Sequence, residues 1–417
     1  MSILTDLTRM WLTRSGKPFT FTNAYDEILP YGDCQNLGLY VHIPFCRRIC
    51  DFCPYCKVAY DREKCDAYID ALLQEIRMVG SQYPEKKQVT SLYFGGGTPA
   101  LAADRIKEII DTIEEYFEIT EGIGLELHPE NVTVPTLQKL KEAGVTKISI
   151  GIQSFQEKYQ EMLGRAAVDI SAMAEALAEV SFETVSMDFI FALPNQTIHD
   201  LKEDIETAFR NGANHIAIYP FIDFTFTDSK VPVMAEREKR RLLDEITDHC
   251  EAMGYHRDSI WTFSKNKTAR YSSMTRDNFL GFGCSATTLL QKQFKINTFS
   301  VEEYCKRIKE GELPTSLTIR FSLRQRMVYY LFWTAYSTRV DERDFEAFFG
   351  VPLKKMYGIE LFLAKCLGFV TEKDGVYTMT KKGAFYYHYY ENFYTLSYID
   401  KMWGIMRKEA FPEKMEL

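Results

Sequence analysis

From residue 39 onward, short apolar runs alternate with longer stretches of helical pattern, and this alternation sets the expected fold. The runs at 39–43, 91–94, 123–127, 147–152, 185–191 and 216–219 are rich in Val, Ile, Leu and Phe. Most of them do not alternate polar with apolar positions, which predicts strands covered on both faces, as in a parallel sheet. Between and after them lie expected helices at about 63–79, 103–116, 134–143, 170–179, 198–211 and 235–253. Six such units joined by right-handed crossovers predict an α/β fold, a parallel sheet curled into a full or partial (β/α)6, TIM-like barrel.

The flanks read differently. Residues 1–37 place Trp11, Phe19 and Phe21 among turn-forming residues, too short a stretch to enclose a core. They are expected to form an ordered extension lying on a barrel domain of residues 38–315. Within that domain the glycine-rich stretch 277–287 is expected to close the barrel mouth as a loop. Pro314 marks the expected linker to a mostly helical domain, 316–417. A hairpin at 368–380, turning at Asp374-Gly375, gives that domain a winged-helix-like character.

Composition narrows the function. A formal charge of −8 argues against a nucleic-acid partner, which needs clustered Lys and Arg. The N-terminal MSILTDLTRMWLTRSGK lacks the apolar core of a signal peptide, and no apolar run is long enough to cross a bilayer. Ten cysteines are too few for a disulfide scaffold of this length. A reducing cytoplasm and a soluble monomer are expected.

Four of those cysteines, Cys46, Cys50, Cys53 and Cys56, crowd into YVHIPFCRRICDFCPYCK. The first three have the spacing C-x3-C-x2-C. A thiolate triad this tight can hold an iron–sulfur cluster and leave one iron without a protein ligand. A structural zinc knot normally shows a second paired hook elsewhere, which this chain lacks. Cys56 would shut the open iron if it were a ligand, so it is read as a neighbouring thiol. Cys34, Cys250, Cys284, Cys305 and Cys366 are read as core thiols.

The remaining unusual residues sit where the barrel reading puts its active rim, at the C-terminal ends of strands. Gly95-Gly96-Gly97-Thr98-Pro99 follows the second run, and glycine there lets a backbone approach a ligand closely. Glu126 and His128 end the third run, Gln153 the fourth, Asp188 lies in the fifth and Tyr219 closes the sixth. Glu126 is either a buried ion-pair partner or a ligand contact, and Arg165 either a helix cap or a carboxylate partner. Tyr40 is expected to point into the barrel. The stretch 385–403 holds nine aromatic residues in nineteen, expected to form a helix packing on the barrel or a lid over a flat substrate.

Taken together, YVHIPFCxxxCxFC, FGGGTP, ELHPE, SIGIQSF with its LGR arginine, MDFIFALPNQT and FLGFGCSA resemble the radical S-adenosylmethionine (SAM) superfamily. Within it they are most similar to the oxygen-independent coproporphyrinogen III oxidase family, with its related heme chaperones and radical methyltransferases. The resemblance implies a [4Fe–4S] cluster on Cys46, Cys50 and Cys53. It implies that Tyr40, Phe52, Gly96, Gly97, Thr98, Glu126, Gln153, Arg165 and Asp188 line the SAM pockets, with Thr287 over a second SAM. It further implies an anaerobic enzyme, fed by a donor such as flavodoxin or ferredoxin, that abstracts hydrogen from a tetrapyrrole-like substrate and oxidatively decarboxylates it. Methyl transfer with two SAM and a heme chaperone are the alternatives. One departure is that Tyr55 stands where the oxidases tend to carry a cysteine, with Cys56 one place later. The residues ahead of Tyr40 form a longer leader than the chaperone branch leads one to expect, which favours an enzyme.

Overall fold

The computed structural model describes residues 3–266 and 277–417. Six parallel strands form its centre: β1 (Leu37–Ile43), β2 (Leu92–Gly96), β3 (Ile123–Leu127), β4 (Lys147–Gln153), β5 (Thr184–Phe191) and β6 (His215–Pro220). They lie side by side in sequence order. Each connection carries a helix on the outer face, among them Arg62–Gly80, Ala103–Glu114, Val134–Glu142 and Ile198–Arg210. Local sequence fixes the helix starts. Asp61 accepts the Lys64 amide at 2.9 Å ahead of the first of these helices, and Thr197 with Asp200 forms a capping box at the last.

The strands differ from the expectation in one respect: they do alternate. Leu39, Val41 and Ile43, Phe94, Leu125, Ile148 and Ile150, Met187 and Phe189 are buried in the core beneath the helices. The intervening positions form a second, polar or small layer. Register pairs Tyr40 with Tyr93, Tyr93 with Gly124, Glu126 with Ser149, and Asp188 with Ala217. A packed interior would be apolar on this side too. The polar layer marks a face reserved for something other than side-chain packing.

The stretch 277–287 is not a closing loop. Asn278–Phe282 is a strand, β7, paired in parallel with β1 so that Leu280 faces Leu39 and Phe282 faces Val41. Its apolar FLGF run supplies the core contacts that a loop would not need. Antiparallel strands β8 (Thr287–Leu289), β9 (Gln293–Asn297) and β10 (Thr315–Arg320) continue the sheet. Residues 315–320, just beyond the expected linker at Pro314, thus still belong to this sheet. So does the leader: Thr20–Thr22 lies between β10 and the strand Lys414–Glu416. Phe19 and Leu417 exchange both backbone hydrogen bonds, at 2.8 and 2.9 Å.

The helical C-terminal region begins at Leu323–Tyr336 and continues through Glu342–Phe349 and Leu353–Cys366. The hairpin Val370–Lys373/Val376–Met379 forms as expected, with Asp374 and Gly375 both at positive φ in its turn. Arg339–Asp341 adds a third strand to it. Cys366 is exposed rather than in a core, at the end of a helix that also exposes Ile359, Phe362 and Leu363. The aromatic helix Lys381–Tyr394 stacks on its neighbour through Phe332, whose ring lies 5.2 Å from Tyr387 and 4.8 Å from Tyr394. His388 meets Phe191 of β5 and Trp261 at 6.1 and 5.7 Å. No described helix is long and apolar enough to cross a membrane.

Candidate functional site

Cys46 ends a short strand, Phe45–Cys46, that pairs with Val58–Ala59 and closes the intervening residues into a loop at the C-terminal end of β1. Inside the loop the Cys53 amide donates to the Cys50 carbonyl at 3.3 Å, and the Lys57 ammonium bonds the Cys53 carbonyl. The Thr98 hydroxyl donates to Cys46 Sγ at 3.8 Å. All three cysteines are free, partly exposed thiols. Burial, followed by the neighbouring Cys53 and Cys50, pushes the Cys46 thiol up to about 11. Burial also raises Cys50, against the pull of Arg165. A bound cation reverses this, because it takes the place of the protons.

Arg165 reaches the loop from beyond β4. Its Nη2 donates to the Gly151 carbonyl at 2.7 Å, while its buried Nε finds no partner among the described residues. Burial lowers its affinity for its proton, against the support of Cys50 and Cys53. It also borders a crevice of about 230 Å³ lined by His128, Glu130 and Asp169. Burial, then Arg165, pushes His128 down to about 4, so its ring is neutral near pH 7.

Two carboxyls face the polar side of the sheet. Glu126 accepts the Gly96 amide and the Tyr93 hydroxyl, each at 3.2 Å. Asp188 accepts the Ser149 hydroxyl at 2.8 Å and that of Ser186 at 3.2 Å. Neither is ion-paired to Lys or Arg among the described residues. Burial, then the Asp188 charge, raises Glu126 to about 7, and burial raises Asp188 to about 6. Both groups therefore bind protons more readily folded than unfolded, so stability falls as pH rises from about 4 to about 7 and levels off above. Glu126→Gln, which removes the charge and keeps an acceptor for Gly96, is expected to stabilise the cofactor-free protein at pH 8 by on the order of 1–2 kcal/mol, and by less at pH 5. Urea titrations of both proteins at the two pH values measure this.

The glycine run serves the fold first. The amides of Gly96, Gly97 and Thr98 donate to Glu126, to the Ile43 carbonyl and to the Phe45 carbonyl. Gly96 has φ +121°, and a Cβ on it would lie 2.7 Å from the His42 ring. A Cβ on Gly97 would lie 2.7 Å from the backbone of Pro44 and Phe45. With its amides engaged, this run offers a ligand room rather than donors.

Tyr40 points inward as expected, its hydroxyl 3.0 Å from His42 Nδ1. Gln153, at φ +72°, occupies the irregular step where β4 slips register against β5. Phe52 packs beside Tyr159, Leu163, Ile190 and Phe221. Thr287 lies apart, in β8, with β7 between it and β1. Sequence reasoning missed Tyr93 and Ser149, the partners of the two carboxyls, although each shares a register pair with the polar layer. It also missed the pair of Tyr55 and Trp403, whose rings lie 5.9 Å apart. Tyr55 keeps 52% of its surface open, yet burial, then the Glu126 charge, drives its hydroxyl above the usual range. It lies within electrostatic reach of Glu126, Cys53 and Asp188. Phe224 stacks on Trp403 at 6.1 Å.

Residues 40–208, which contain the thiols, the glycine run and both carboxyls, match the family described as the Radical SAM superfamily. This chain carries a radical SAM domain. It is 26% identical over 363 residues to the heme chaperone HemW of Bacillus subtilis (strain 168), covering 82% of this chain and 95% of that one. It is 28% identical over 320 residues to an oxygen-independent coproporphyrinogen III oxidase of Cereibacter sphaeroides (strain ATCC 17025 / ATH 2.4.3), covering 67% and 68%. The solved structure of coproporphyrinogen III oxidase (HemN) from Escherichia coli shares the fold, with a TM-score of 0.74 at 21% identity over 89% of this chain and 93% of that one. The radical SAM family implies a [4Fe–4S] cluster and SAM. The residues present fit both: three free thiols in one loop match the cluster, and the unpartnered Nε of Arg165 beside them is a donor awaiting an anion.

Proposed function

We propose that this protein is a radical SAM enzyme acting on a tetrapyrrole, most closely by oxidative decarboxylation of a propionate arm to a vinyl group. The reading is supported by the nearness of Arg165 to the three thiols, of Glu126 to Asp188, and of Tyr55, paired with Trp403, to Cys53 and both carboxyls. Cys46, Cys50 and Cys53 would hold the cluster. When bound, the cluster and SAM supply hydrogen-atom abstraction from an unactivated carbon. Arg165 would orient the carboxylate of SAM, and Tyr40, Gln153 and the Gly96–Gly97 run would shape its pocket. Glu126 and Asp188, poised near neutrality, can each hold or release a proton, whereas an ordinary carboxylate would stay ionised. The aromatic cluster of Tyr55, Trp403 and Phe224 suits a macrocycle.

A second reading is a heme-binding chaperone with little turnover, favoured by the near full-length match to the Bacillus subtilis chaperone. One experiment separates the two: anaerobic incubation with SAM, strong reductant, and either coproporphyrinogen III or heme, followed by mass analysis. The oxidase reading expects 5′-deoxyadenosine together with carbon dioxide loss from the porphyrinogen. S-adenosylhomocysteine with a methylated product would instead mean methyl transfer. Heme bound stoichiometrically, with the porphyrinogen unchanged, would leave the chaperone.

A further inference from the structure

Beside the cysteine loop, on the same face of β1 as Tyr40, lies a second sulfur-rich group that the radical chemistry does not use. His42 from β1, Cys56 from the end of the cysteine loop and Cys284 from the turn after β7 bring their ligand atoms within 4.8 Å of one another. All three are more than nine-tenths buried. We propose that they form a binding site for a thiophilic divalent cation, zinc being the natural occupant.

Geometry is the first support. The two sulfurs lie 4.0 Å apart, close to the ~3.8 Å that separates two thiolates on a tetrahedral zinc with Zn–S bonds of about 2.3 Å. His42 Nε2 faces the group and now touches the Cys56 carbonyl at 3.0 Å. Its other nitrogen, Nδ1, meets the Tyr40 hydroxyl at 3.0 Å. An outer partner of that kind fixes the ring of a ligating histidine.

Rigidity is the second. The turn carrying Cys284 is held by a buried network: the Gly283 amide and the Tyr304 hydroxyl each donate to Glu75 Oε2 at 2.7 Å. Asn297 donates to Glu75 Oε1 at 3.0 Å and to the Gly283 carbonyl at 2.9 Å. Tyr68 accepts the Cys284 amide at 2.9 Å and donates to the His42 carbonyl at 2.7 Å, tying two of the three ligand backbones together. Packing that serves only to bury a thiol does not need this much hydrogen bonding.

Charge is the third. Two thiolates and a neutral imidazole around a divalent cation sum to zero, which suits a buried site, and the fourth tetrahedral position is left to a water or to the Phe299 carbonyl, 3.2 Å from Cys56 Sγ. Without the cation, two buried thiolates cannot coexist, and one sulfur must keep its proton. The geometry fits that compromise: Cys56 Sγ, 4.0 Å from Cys284 Sγ, donates to the Phe299 carbonyl at 3.2 Å.

The test uses the full-length protein, reconstituted anaerobically with iron and sulfide, exposed to zinc sulfate and desalted. Metal counting is expected to find about one zinc per chain beside a full complement of iron, and zinc-edge X-ray absorption to show two sulfurs with one imidazole nitrogen. Cys284→Ser is expected to lose the zinc and keep the iron. No zinc in the wild-type protein, zinc retained in Cys284→Ser, or zinc with three sulfurs gained at the expense of iron would each overturn the site. So would a Cys56–Cys284 disulfide in protein kept free of oxygen. The absorption spectrum needs no variant, so a misfolded Cys284→Ser would not leave the question open.

Discussion

Replacing Cys46, Cys50 or Cys53 with alanine will leave the chain unable to hold a [4Fe–4S] cluster, and 5′-deoxyadenosine formation will fall to background. The three thiols share one short loop and have no substitute within it. Two thiolates cannot keep a cluster whose fourth iron is already open. Cys56→Ala will behave differently. Its sulfur points to Cys284 and the Phe299 carbonyl, at 4.0 and 3.2 Å, so about four irons per chain should remain after anaerobic reconstitution. Iron and sulfide counts on the four variants decide the assignment. Loss of the cluster in Cys56→Ala, with retention in any of the other three, would reverse it.

The second large effect is expected at Gly97. From sequence alone, a bulky residue in the glycine run should block SAM and spare the cluster. The structure changes that expectation. Valine at Gly97 would drive a Cβ into the backbone of Pro44 and Phe45, immediately ahead of Cys46. Backbone cannot step aside as a flexible side chain can, and overpacking of this kind costs about 1–3 kcal/mol or more. Gly97→Val is therefore expected to lower both SAM binding and iron content, and to reduce the midpoint of thermal unfolding. Gly97→Ala, meeting the same atoms with a single methyl, should show the same losses in weaker form. Full cluster content in Gly97→Val would show that the cysteine loop can move independently of β2.

The barrel strands and their helices were legible because each apolar run is short, punctuated and followed by a helical period. The crowding of Cys46, Cys50 and Cys53 into one loop was legible from their spacing. Other features were hidden for physical reasons. The strands looked unbroken because the inward positions carry Tyr, Gly and Ser as often as charges, and these do not register as polar alternation. The run 278–282 read as a loop because Gly281 and Gly283 are common in loops. Here Gly281 lets the Thr287 carbonyl come within 2.1 Å of where a Cβ would sit. Tyr55 and Trp403 are separated by most of the chain, and only the folded path of the C-terminal helices brings their rings together. The Cys56–Cys284–His42 group is likewise a product of topology, since each member looks ordinary in its own segment.

The meeting of the two chain ends has a consequence for the order of assembly. Thr20–Thr22 can pair with β10 and with Lys414–Glu416 only after everything between them has been synthesised. Contacts of such long sequence separation form late. The segment that brings Lys414–Glu416 to the sheet also carries Trp403, and Arg407 whose guanidinium bonds the Pro54 carbonyl on the cysteine loop. The nascent barrel would then present its three thiols to iron and sulfide while that segment is still missing. Cluster delivery and completion of the sheet become sequential events, and a chain trimmed before residue 403 should take up iron readily but release it as readily.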